Sequence, residues 1–189
     1  MEYDVTYYEV KSTNIVNVVA LYEAMREWLI IEGYAGIKDS SFPEKYMWES
    51  RTQKGGREIW VWWRTSKTIR GNSFFQRKLD IDIHGVALKD VEIMYEGRKI
   101  KASKGKVEII VKAKLGVDYN NKWQQNKLLA PLFELFWKRI AYKEFDMNKE
   151  EVYRDAYKFH KFLSDWFALT EEGYDKRPFH PRRGFESDK

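Results

Sequence analysis

Between Phe75 and His84 the side chains alternate strictly. Phe75, Arg77, Leu79, Ile81 and Ile83 fall on one face, and Gln76, Lys78, Asp80, Asp82 and His84 on the other. A period of two belongs to a strand, and the contrast between the faces marks a sheet with one face on a core and one in water. Punctuation around this run sets out the rest of the sheet. Turn signals at Gly71-Asn72, Gly85, Glu96-Gly97 and Ser103 to Gly105 predict strands near 74–84, 86–95, 98–102 and 106–119. Upstream, the β-rich segments Tyr46–Thr52 and Glu58–Ser66 are joined by Gln53-Lys54-Gly55-Gly56, a hairpin signal, and Tyr3–Lys11 is rich in Val, Thr and Tyr. The expectation is a mostly antiparallel sheet of about seven strands.

The period changes at both ends of that block. Ile15, Val18, Val19, Tyr22, Met25, Trp28 and Leu29 recur at helical spacing, with Ser12-Thr13-Asn14 as a capping cluster and Gly33 as a stop. Beyond Asn121, a wide apolar stripe of Leu128, Leu129, Leu132, Phe133, Phe136, Trp137 and Ile140 predicts a helix with Pro131 at its first turn or at a kink. A further helix is predicted to start at Asn148, with Glu151 reaching back as in a capping box, and to bury Val152, Ala156, Phe159, Leu163 and Trp166. The short 143–149 connection predicts that these two helices pack antiparallel. The class is α+β, with one N-terminal helix, the sheet and a C-terminal helical pair, organised as a domain over 1–169 and a basic-aromatic tail over 170–189.

At 189 residues, 43% hydrophobic and 16% aromatic, the chain has the material for one packed core. It contains no cysteine, which excludes disulfides and zinc–thiolate sites. Met1-Glu2-Tyr3-Asp4 lacks the basic and apolar regions of a signal peptide and no apolar run is long enough to cross a bilayer, so the expected location is the cytoplasm, away from membranes.

The order strand, helix, strands, long C-terminal helix resembles the helix-grip arrangement of START-like and polyketide-cyclase-like proteins across 3–168. The chain departs from it in having one N-terminal helix instead of two short ones, and in a C-terminal helix split near Phe145. The resemblance implies a carrier or cyclase holding an apolar small molecule between the sheet and the C-terminal helix, in a cavity lined by Phe75, Leu79, Ile81, Phe133 and Trp137.

Motifs of chemistry are sparse. Asp80, Asp82 and His84 project from one strand face and are donors a divalent ion could use, but three ligands on one flat strand converge poorly, so no metal is expected. There is no Gly-x-Ser-x-Gly elbow and no phosphate-binding glycine loop, and His84, His160 and His180 have no signature tying them to a nucleophile. Glu134 and Tyr142 could line a cavity, although a helix-surface place suits each as well. No catalytic residue and no cofactor is assigned.

Charge is more informative. Residues 51–114 hold 16 Lys or Arg against 7 Asp or Glu, a net of +9, while the remaining residues hold 18 against 22. A basic sheet suits phosphate backbones. Arg57, Arg64, Arg98, Lys99, Lys101, Lys104 and Lys106 are the candidate phosphate contacts. Glu58, Trp60, Trp62 and Arg64 share one strand face while Ile59, Val61 and Trp63 share the other, so Trp60 and Trp62 are candidates to meet a partner. In the tail, Lys176 to Phe185 carries four cations and no acid. There Arg177, Arg182 and Arg183 would dock on RNA, with Phe179 and Phe185 alongside. The whole chain resembles uncharacterised small proteins of hyperthermophilic archaea. That resemblance implies a non-enzymatic protein acting on RNA or a ribonucleoprotein, most sharply a ribosome-associated inactivation (hibernation) or dimerisation factor, with a homodimer as a further possible assembly.

Overall fold

The structure is a computed structural model in which residues 1–38, 41–51, 56–95 and 98–172 are described. It is α+β. Strands β1 (Glu2–Ser12), β3 (Glu44–Arg51), β4 (Arg57–Ile69), β5 (Asn72–Tyr95) and β6 (Arg98–Val117) lie in the order β1-β6-β5-β4-β3, and the short β2 (Ile15–Val16) pairs with β6 beyond the end of β1. Every pairing is antiparallel. Helix α1 spans Val18–Ile31. After β6 come a 3-10 turn at Ala130–Leu132, the three-residue α2 (Phe133–Leu135), a π turn at Phe136–Ile140 and the 31-residue α3 (Tyr142–Glu172).

The sheet has six strands among the described residues, because segments expected as four separate strands form two long ones and β2 adds one that was not expected. Gly85 and Ser103–Gly105 do not turn the chain. They sit where β5 and β6 bend together, at a register shift between Val86 and Lys89. Ala87 takes up a left-handed conformation there, φ +52°, and throws Leu88 inward to 1% exposure. A Cβ on Gly85 would lie 2.7 Å from Leu88 Cδ1, and one on Gly105 would lie 2.9 Å from Leu88 Cα and from Val86 O. These glycines make room for a neighbouring leucine at a bulge, the use of strand glycine that competes with turn formation.

The expected helical pair is also replaced. Tyr142 to Lys149 contains no helix breaker, so α3 runs through it and Asn148 is internal rather than a cap. The Asn148 amide donates to Glu144 O (2.8 Å) and its carbonyl oxygen accepts from Arg77 (3.2 Å). Upstream, Pro131 falls inside the 3-10 turn and the stripe never forms one straight helix. Phe133 and Trp137 are buried, whereas Leu128, Leu132, Leu135 and Ile140 are exposed. Helix α1 begins later than its capping cluster suggests: β2 intervenes, and Asn17 caps by accepting from Ala20 N at 3.1 Å. Gly33, φ +79°, follows the end of α1 as expected.

The core lies on one face of the sheet. Val61, Trp63, Leu79, Ile81, Ile109 and Val111 face Leu21, Met25 and Leu29 of α1 and Val152, Ala156, Phe159 and Leu163 of α3, all at most 2% exposed. Burial of this kind contributes about 25 cal/mol per Å² of apolar area removed from water. Within it, Asp155 is 3% exposed and accepts from the Tyr34 hydroxyl at 2.8 Å, with Arg77 and Lys67 each 3.8 Å away. Arg77, the one charged residue on the apolar side of the 75–84 alternation, thus reaches α3. Among the described residues, the opposite face of the sheet carries no helix contacts of this kind.

Candidate functional site

Three features on this frame could meet a partner. The first is the outer face of β3 and β4. Register places Tyr46 beside Trp62 and Asp82, and Trp48 beside Trp60, His84 and Glu108. Tyr46 and Trp62 pack at 4.6 Å between ring centroids, and Trp60 stacks on His84 at 3.5 Å. Trp60 Nε1 donates to Glu58 at 3.1 Å and His84 Nε2 lies 3.0 Å from the same oxygen. These two contacts, His84 first, hold the Glu58 carboxyl below its ordinary range. Tyr46, Trp48 and Trp62 are about two-fifths exposed, at 40%, 42% and 39%. Of the expected interaction residues, Trp62 is therefore presented to solvent, while Trp60 is half-buried in its stack.

The second feature is basic, and it is smaller than the sequence suggests. Arg57 is engaged by Asp90 (2.6 Å), Glu49 (3.4 Å) and the Ser103 hydroxyl (3.0 Å). Arg64 is engaged by Asp82 at 2.6 Å, and Lys106 by Glu108. Arg57 and Arg64 serve cross-strand ion pairs, which the antiparallel register supplies by placing acids beside them, while Lys106 pairs with an acid two residues along its own strand. Lys99, Lys101 and Lys104 are exposed and form no ion pair among the described residues. The backbone of Arg98 pairs with Tyr95 at the start of β6. Lys89 stands directly opposite Lys104, an unfavourable cross-strand pairing of like charges. Sequence reasoning missed Lys89 because the bulge between Val86 and Lys89 sets that register. Arg177, Arg182, Arg183, Phe179 and Phe185 lie outside the described residues, as does most of the Gln53 to Gly56 turn.

The residues weighed as a metal set have separate partners: Asp80 holds Lys114 at 2.7 Å, Asp82 holds Arg64, and His84 lies between Glu58 and Glu108. No group of three acids or histidines among the described residues is placed to hold a metal ion. Glu134 pairs with Lys138 on the surface and Tyr142 is exposed.

The third feature is a groove of about 750 Å³ between α1 and the inner face of β3 to β6. Leu21 and Met25 form one wall, Val61, Ile83 and Val107 the floor, and Met47 a lip. Tyr22 lines it too. Its hydroxyl donates to Glu44 (2.8 Å), and burial first, then Glu44, pushes its pKa up to about 12. The cavity implied by the helix-grip resemblance lies elsewhere and is filled: Phe75, Leu79, Ile81, Phe133 and Trp137 are all buried in the core and none borders the groove.

No protein-family model, no curated protein and no solved structure matches the chain. No helix among the described residues is long and apolar enough to cross a membrane.

Proposed function

We propose that this chain is a non-enzymatic protein that binds RNA or a ribonucleoprotein, the ribosome foremost, as an inactivation or dimerisation factor. The observation that carries the reading is the unpaired lysine strip at the far end of β5 and β6. Lys99, Lys101 and Lys104 are exposed and form no ion pair among the described residues; Lys101 has Glu92 across the ladder, but Lys104 has Lys89. Like charges opposed across a ladder cost stability, and a polyanion laid over them relieves that cost while releasing its own counterions. The solid core beneath α3 supports the same reading, since it leaves no room there for the small-molecule cavity of a carrier.

In this reading the strip and the tail arginines meet phosphates, and the exposed rings of Tyr46, Trp48 and Trp62 meet bases or protein. Co-sedimentation with ribosomal particles across a salt series tests it. The full chain should associate at low salt and lose affinity steeply as salt rises. The triple variant Lys99→Ala, Lys101→Ala, Lys104→Ala should reduce the slope of log affinity against log salt by about 2 to 3, at roughly 0.7–0.9 per phosphate contact. A chain ending at Thr170 should show a further reduction. Absence of association at low salt would sink the proposal.

A further inference from the structure

Strand β3 lies at an edge of the sheet, with β4 on one side and no strand on the other among the described residues. Edges are normally guarded by charge, proline, a bulge or cover, because their free backbone groups can pair with another strand. β3 is guarded only at its start, by Lys45 and by the register break between Glu44 and Tyr46. Beyond it come Tyr46, Met47 and Trp48, three consecutive large apolar side chains exposed at 40%, 58% and 42%. The other edge, β1, has no such run: its exposed residues alternate with covered ones, and Tyr8 is bonded to Ala156 O of α3. We infer that β3 pairs antiparallel with β3 of a second copy of this chain, making one continuous sheet across a two-fold axis.

The sequence of β3 is self-complementary in one register. A two-fold axis that continues the sheet stands normal to it and keeps the two inner faces together, so opposed residues must come from the same face. Pairing with β4 puts Met47 and Glu49 on the inner face, beside Val61 and Ile59, and Tyr46 and Trp48 on the outer face, beside Trp62 and Trp60. With the axis at Met47, opposite its own copy, Tyr46 meets Trp48 and Lys45 meets Glu49, each twice. Both are favourable cross-strand pairs, one aromatic and one of opposite charge. Lys45 is exposed and forms no ion pair among the described residues. Glu49 is held loosely, 3.4 Å from an Arg57 whose closer partner is Asp90 at 2.6 Å. Other registers are worse. An axis at Trp48 sets Lys45 opposite Arg51, and one at Glu49 sets that acid opposite itself, so both oppose like charges. An axis at Tyr46 sets Lys45 opposite Met47 and leaves Glu49 unmatched.

Sedimentation velocity of the full chain, with no nucleic acid present, tests the interface separately from the ribonucleoprotein reading. Between about 1 and 300 µM the wild-type mass should rise from that of one chain toward that of two. Met47→Lys and Met47→Glu each set like charges against one another at the axis, and each should weaken self-association about tenfold or more. Mixed in equal amounts they should associate about tenfold more tightly than either does alone, because only the mixed pair sets lysine against glutamate. Met47 is largely exposed, so both variants should keep the circular dichroism of the wild type. The chain has no cysteine, so Met47→Cys carries a single thiol, and mild oxidation should cross-link it into dimers faster than Tyr7→Cys on the β1 edge. A wild-type chain that stays monomeric throughout, folded Met47 variants that dimerise as the wild type does, a mixture no tighter than its components, or equal cross-linking at the two edges would each overturn the proposal.

Discussion

The bend shared by β5 and β6 depends on Leu88 occupying a slot that exists only because residues 85 and 105 are glycine, and a double-mutant cycle tests this. In Gly85→Ala the new Cβ would meet Leu88 Cδ1 at 2.7 Å and Cγ at 3.4 Å, both side-chain atoms, and Ile59 Cβ at an ordinary 3.7 Å. Overpacking of that size costs about 1–3 kcal/mol. Leu88→Ala alone should cost about 2–5 kcal/mol, because Leu88 is 1% exposed and its loss leaves a hole. In the double variant the clash disappears with the leucine, so the total should equal the Leu88→Ala cost within about 0.5 kcal/mol, a coupling of about 1–3 kcal/mol. Gly105→Ala is the control. Two of its three closest atoms, Leu88 Cα and Val86 O at 2.9 Å, are backbone, so its cost should persist when the leucine side chain is removed. Urea unfolding followed by tryptophan fluorescence gives all the free energies. Simple additivity of Gly85→Ala and Leu88→Ala would show that the two residues do not share a slot, and the account of the bend would fail.

Leu163 is fully buried on the core face of α3, so Leu163→Ala should cost about 2–5 kcal/mol in the same assay; a loss under about 0.5 kcal/mol would take that face out of the core. The Glu2 carboxyl is held below its ordinary value of 4.5, first by the hydrogen bond from Lys78 (2.7 Å) and then by the charges of Lys78 and Lys114. Because its folded pKa is the lower one, its contribution is complete above about pH 4.5 and is lost as acid protonates the folded state. Thermal melts from pH 7 to pH 3 should show a small drop below pH 4.5 that Glu2→Gln diminishes; an equal drop in the variant would remove Glu2 as a cause.

The alternation at 75–84 was legible because its core face is apolar but for Arg77, and the helical spacing was legible from Val18 onward, whereas Ile15 falls in β2 and Val19 is exposed. Arg77, the exception to that alternation, carried its own message: a cation on a core face must find a buried acid, and it finds Asp155. The long strands were not legible, since a glycine that admits Leu88 is indistinguishable from one that turns the chain until the partner strand is known. Continuity of α3 through Phe145 was obscured by an asparagine that suits a cap but bonds equally well to Glu144 O and Arg77 within a helix. The candidate site was partly legible. Lysines of the strip stand out in the charge count, yet Arg57 and Arg64 count equally there and are neutralised only by acids that register brings alongside. The groove draws on residues from 17 to 107, and nothing local marks its members.

Pairing of Glu2 with Gly116 and of Ser12 with Val107 sets an order of events during synthesis. At roughly 5–20 residues per second, the first strand waits about 6–23 s for its partner to be made. For that interval Tyr3, Val5, Tyr8 and Val10, all of which pack on the finished core, have no sheet to join. β1 is therefore made well before it can be placed, and until β6 is complete its apolar side chains are open to a nascent-chain chaperone.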